Sequence, residues 1–239
     1  MSNGAGSDIV GDFRLGLDLM KRYPVMAAPP LIAMALMFVL GLVFFGGALT
    51  IFAVGGLSGG RGVAGAIVGG LLFSAVLAVV ALLVNLVASA VVVIMARDAL
   101  ATREPSMGDA LSAVMGRLGD VAVASFLVAL IVGIASLFLV VPGIIAGFFL
   151  MFVLPAVLLD GRGAVDALGR SATLVKDNLG PALGLVIGAI VAIVVMAIVS
   201  MILGMVPLLG HLASMLLGGA FIAYLTVVAV RVYQTLPRR

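Results

Sequence analysis

The chain has 239 residues, 64% of them hydrophobic and only 10% charged, with 13 Lys and Arg against ten Asp and Glu and no cysteine. Soluble domains carry about a quarter of their residues as charges, so this composition excludes a water-soluble globular protein and indicates an integral membrane protein. The absence of cysteine excludes disulfides and thiolate chemistry, and basic residues interspersed with carboxylates, without an aromatic-plus-basic pattern, exclude a nucleic-acid surface.

Every charged residue except Arg61 falls into one of four short clusters, at Asp8 to Arg22, Arg97 to Asp120, Asp160 to Asp177 and Arg231 to Arg239. The first cluster reads as an amphipathic helix with Ile9, Phe13, Leu17 and Met20 on one face, ending near Lys21. The 38 uncharged residues from Arg22 to Arg61 hold a first span near 24–51, since about 20 apolar residues cross about 30 Å of hydrocarbon. That run exceeds a signal-peptide core of about 7 to 15 residues, so an uncleaved span is expected. A Gly-rich turn over Gly55 to Gly62 leads to a second span near 63–95, which carries Asn85.

In the second cluster Ser106 with Asp109, just after Pro105, predicts a capped helix start, with Met107, Leu111, Val114 and Leu118 on its apolar face. The 39 residues from Asp120 to Asp160 must fold back on themselves. Spans are expected near 121–141 and 143–159, with the turn at Pro142-Gly143. The third cluster predicts another amphipathic helix, with Val165, Leu168, Ala172 and Val175 aligned. The last two spans are placed near 181–206 and 212–230, joined by the turn Pro207-Leu208-Leu209-Gly210 and followed by the basic tail. Tyr23 and Tyr233 flank span ends as interfacial anchors.

The expected architecture is therefore all-α, a polytopic bundle of six transmembrane helices forming one integral membrane domain over 1–239. Six crossings place both termini and the two middle clusters on one face, and each of the four clusters contributes three Lys or Arg. The positive-inside rule makes that face cytoplasmic, as in the inner membrane of a prokaryote. The segments Gly11-Asp12-Phe13-Arg14-Leu15, Gly108-Asp109-Ala110-Leu111 and Val165-Asp166-Ala167-Leu168 each open a charged stretch that leads into two spans. This suggests a three-fold repeat of amphipathic helix plus hairpin over 7–95, 105–159 and 162–235, with the short helices lying along the membrane surface.

Val141-Pro142-Gly143-Ile144, Phe152 to Pro155, the turn Asp160-Gly161, Ala167-Leu168-Gly169-Arg170-Ser171 and Val175-Lys176-Asp177-Asn178 form a recognisable series. It resembles the multi-pass membrane domain found fused to some glycerophosphodiester phosphodiesterases and also alone in prokaryotic membrane proteins. The resemblance covers about residues 105 to 235, and the stand-alone members imply no assigned activity. A tryptophan common after the last element of that series is replaced here by Leu179-Gly180-Pro181. The fused enzyme's activity is not implied, because its barrel is a separate soluble domain and its metal chemistry needs acidic and His ligands. This chain has one Glu and one His.

Few residues offer chemistry, and neither a metal nor a cofactor is expected. His211 sits at the outer turn without acidic company. Asn85 is expected to make an interhelical hydrogen bond, with solute binding as the alternative. Gly180, Gly184 and Gly188 form two small-xxx-small steps, for packing between spans or for self-association. Asp166, Arg170, Lys176, Arg117 and Lys21 are the candidate contacts for lipid or a partner protein. No ionisable residue falls inside the six spans, which disfavours ion-coupled transport. The expected function is a non-enzymatic membrane-organising or partner-binding scaffold; a small transporter or channel for an apolar or zwitterionic solute is the alternative.

Overall fold

The computed structural model describes residues 9–57, 60–206 and 209–237. Asp8, Pro207, Leu208, Arg238 and Arg239 lie outside the described residues, as do the side chains of Arg61 and His211. Among the described residues every regular element is helical: α1 (Ile9–Arg22), a 3-10 turn (Pro24–Ala27), α2 (Ala28–Leu57), α3 (Gly60–Leu100), α4 (Met107–Met115), α5 (Leu118–Phe138), α6 (Val140–Leu150), α7 (Val153–Leu159), α8 (Ala164–Asp177), α9 (Leu179–Gly204) and α10 (Leu209–Thr235). Six stretches are long and apolar enough to cross a membrane: Pro24–Gly47, Val68–Leu100, Leu118–Leu137, Val140–Leu159, Leu179–Gly204 and Leu212–Thr235. The chain is a multi-pass membrane protein, and a short amphipathic helix precedes each pair of spans.

The chain divides into two compact units, Ile32–Asn85 and the remainder, Met1–Leu31 with Leu86–Arg239. Within the smaller unit Phe44 and Phe73 stack with parallel rings 5.6 Å apart. Most of its described apolar side chains point outward, Phe45 and Leu71 being 68% and 65% exposed. Helices apolar on every side and unburied by protein suit a hydrocarbon solvent.

In the larger unit the turn between the third and fourth spans falls three residues earlier than expected. Leu139 alone is extended (φ −166°, ψ 151°), and α6 begins at Val140. Pro142 therefore lies in the first turn of α6, where its missing N–H removes no intrahelical bond. Gly143 acts through its size, because a Cβ there would collide with Ser136, and the glycine lets α5 and α6 approach backbone to backbone. Gly147, by contrast, faces open space. Pro29 and Pro30 likewise occupy the first turn of α2.

The core gathers at the charged ends of the spans. Met26, the run Ala90 to Ala96 of α3, Phe152 to Leu158, and Val227 to Tyr233 of α10 supply most of its buried residues. At the opposite ends Leu137, Met201 and Met205 are 85%, 71% and 81% exposed. The short helices explain the difference, because they fill the space between the spans at one end only. Sequence periodicity lays their apolar faces along a membrane surface; the structure packs part of each short helix onto protein but leaves Leu17, Leu111 and Val165 of those faces exposed. In α8 the buried side is Ala164, Ala167, Ser171, Leu174 and Val175, about one residue of rotation from the expected side, and Val165 is 71% exposed.

Candidate functional site

The fourth span is interrupted between α6 and α7, at Met151 and Phe152, where Pro155 cannot donate to the preceding turn. Ser171 of α8 closes the gap: its hydroxyl donates to Phe149 O at 2.8 Å and accepts from the Phe152 N–H at 3.1 Å. Ser171 is wholly buried, so one side chain satisfies two backbone groups that neither water nor lipid could serve. Phe152 in turn packs on Tyr233 of α10, with ring centroids 5.5 Å apart.

Below this break α7 ends in a turn built for glycine. Gly161 has φ +68°, a conformation that costs L residues, and a Cβ there would lie 2.9 Å from Arg117 Nη2. Arg117 also donates through Nη1 to Val157 O at 3.3 Å, so its guanidinium caps the end of α7. Asp160 accepts from the Tyr233 hydroxyl at 2.6 Å and lies 4.0 Å from Arg170 Nε. Both side chains of this ion pair are close to nine-tenths buried. Tyr233 is 1% exposed, so it is a hydrogen-bond donor in the core and not the interfacial anchor expected from its position.

A second ionic tie joins α1 to α10, where Arg231 Nε donates to Asp12 Oδ1 at 3.3 Å. Asp12 is 7% exposed, and its Oδ2 has no partner among the described residues. Glycines set how closely α1 docks. On α9, Cβ atoms at Gly184 and Gly188 would lie 2.8 Å from Ile9 and 2.6 Å from the Phe13 ring. On α1, a Cβ at Gly16 would lie 2.7 Å from Val228. Four residues along α1 match four along α9, so the two helices run side by side in the same direction. Tyr224 adds an edge contact to Phe13 at 6.1 Å and donates its hydroxyl to Phe13 O at 3.1 Å.

The sequence-derived candidates thus separate. Arg170 is largely buried 4.0 Å from Asp160, with its Nε hydrogen-bonded to no group among the described residues, whereas Arg117 is exposed and also donates to the Val157 carbonyl. Asp166, Lys176 and Lys21 are exposed. The small-residue stripe on α9 receives the amphipathic helix α1 instead of another span, and Gly180 faces open space. Asn85 is also exposed and donates to Ala81 O, 2.9 Å away in its own preceding turn, not to another helix. Because that bond joins no second element, Asn85→Leu is expected to change stability by less than about 0.5 kcal/mol in a thermal melt. Ser106 caps α4 as its spacing predicts, accepting from the Asp109 N–H at 3.4 Å.

Three partners are not legible in the sequence. Asp12 and Ser171 read there only as members of a repeat segment and of a motif series, and Tyr233 as an anchor; their one usable signal is a polar side chain on the side of a short helix or span end that the fold turns inward. Among the described residues no three His, Asp or Glu converge as a metal site would require. The family described as a domain of unknown function (DUF7847) matches residues 106–236, more than half of the chain. No curated protein and no solved structure matches it.

Proposed function

The chain belongs to the DUF7847 family, and we propose that it is a non-enzymatic scaffold of a prokaryotic inner membrane that binds a partner protein at its cytoplasmic rim. The observation that carries this reading is the division of labour among polar residues. The two buried carboxylates face inward to ties between elements, Asp160 to Tyr233 and Arg170 and Asp12 to the half-exposed Arg231. The outer side of α8 presents Val165, Asp166, Thr173, Lys176 and Asp177 together, all exposed and at helical spacing. A rigid inner face with a mixed apolar and charged outer face suits docking better than catalysis. The motif series along residues 141–178 supports kinship with the membrane domain fused to phosphodiesterases.

The transporter reading draws less support. A carrier built on a broken span would offer its freed backbone groups to the solute, whereas here Ser171 takes both Phe149 O and the Phe152 N–H. A photo-crosslinking residue at Thr173 in native membranes tests the proposal. Adducts to one protein are expected at 173 and not at lipid-facing Ile198, and the pair Asp166→Lys with Lys176→Glu should abolish them without moving the melting curve. Equal adducts at both positions, or solute flux in proteoliposomes of the purified chain, would refute it.

A further inference from the structure

Between α9 and α10, beside α1, lies a groove of about 410 Å³. It falls within the range of about 300 to 1,000 Å³ typical of small-molecule sites. Leu17 and Met20 of α1, Val195 and Val199 of α9, and Phe221 and Tyr224 of α10 are among its walls. Its one hydroxyl, on Tyr224, is already donated to Phe13 O. A polar solute would find nothing to replace its hydration there, so the groove suits a hydrocarbon chain.

The charges of α1 say which chain-bearing molecule fits. Asp12 is spent on Arg231, and the Arg22 guanidinium lies 5.4 Å over the Tyr23 ring. Arg14 and Lys21 are exposed and form no ion pair among the described residues. They stand three residues before and four residues after Leu17, on the same side of α1. Val10 and Leu17, 61% and 48% exposed, complete that side. Arg14 and Lys21 thus flank Leu17, a wall of the groove, and with the exposed Asp18 between them this stretch of α1 keeps a net positive charge; long cationic side chains can reach from an apolar surface toward headgroups.

We propose that this groove binds one acyl chain of an anionic phospholipid whose headgroup phosphate is held by Arg14 and Lys21. The proposal is independent of any partner on α8. It is tested with the full chain in mild detergent, titrated with phosphatidylglycerol, phosphatidylcholine or glycerol phosphate, with retained lipid read by native mass spectrometry and stability by thermal melts. Two surface cations at roughly 1 kcal/mol each predict about 10- to 30-fold preference for phosphatidylglycerol over phosphatidylcholine. Arg14→Gln with Lys21→Gln should bring that ratio to about one, while Ala220→Phe, which fills the groove, should weaken both lipids. Val195→Phe fills it from the other wall and serves if Ala220→Phe fails to fold, each variant being melted without lipid as a control. Equal retention of the two lipids by the parent chain would overturn the proposal. So would equal stabilisation by glycerol phosphate, unchanged lipid retention in both filled variants, or a lipid-free dimer that either filled variant abolishes.

Discussion

Replacing Asp160 with alanine is expected to destabilise the protein by about 3 kcal/mol, the lower part of the range for removing one partner of a buried ion pair. The loss has two sources: the Tyr233 hydroxyl would lose the acceptor now 2.6 Å away, and Arg170 would keep a largely buried charge without the carboxylate beside it. Asp160→Asn retains an acceptor for Tyr233 and should cost about half as much. Tyr233→Phe should cost about 1 kcal/mol, the net worth of one hydrogen bond. Melts of the three variants and of Asp160→Ala with Arg170→Leu form a cycle in which the double variant is less damaged than the sum of the singles. An Asp160→Ala variant within about 0.5 kcal/mol of the parent, the scale on which exposed substitutions fall, would show that this rim is solvated and not tied.

Gly188→Leu should dislodge α1. A Cβ at that position would already sit 2.6 Å from the Phe13 ring, and overfilling a packed contact costs about 1 to 3 kcal/mol. Gly184→Leu meets Ile9 in the same way, at 2.8 Å. Gly180→Leu, whose Cβ meets nothing within 4 Å, is the internal control and should leave stability unchanged. The readout is local: trypsin cuts after Arg14, Lys21 and Arg22, and α1 packed on α9 resists it. Faster cleavage there is expected in the Gly184 and Gly188 variants and not in the Gly180 variant. Equal cleavage in all three, with equal oligomer size, would remove α1 from the stripe.

Much of this fold is written in charge and hydropathy, and the part that is not has a consistent cause. The six spans and the three short helices follow from composition and period, because hydrocarbon imposes a length on every helix that crosses it. The turn near Pro142 is displaced from its expected place since Pro is as welcome in the first turn of a helix as in the loop before it, and only the extended Leu139 distinguishes the two. The face of α8 differs from expectation because large apolar residues mark a buried side in water, whereas between membrane helices small ones do. Ala164, Ala167 and Ser171 face inward while Val165 faces out. Arg170 reads as a recognition residue for the opposite reason, being charged, yet Asp160 is brought to it by a glycine turn whose geometry no periodicity encodes.

The proposed scaffold function depends on which way α8 faces and from which side it is reached. The chain has no cysteine, so single cysteines can be introduced without a background. Val165→Cys, Thr173→Cys and Lys176→Cys, set against Ala167→Cys and Ser171→Cys, are to be treated with a membrane-impermeant maleimide in intact cells and in inverted membrane vesicles. Rapid labelling is expected at 165, 173 and 176 in inverted vesicles alone, with 167 and 171 protected in both. Labelling of the outer-face positions in intact cells, or equal labelling of inner and outer positions, would contradict a cytoplasmic docking face on α8.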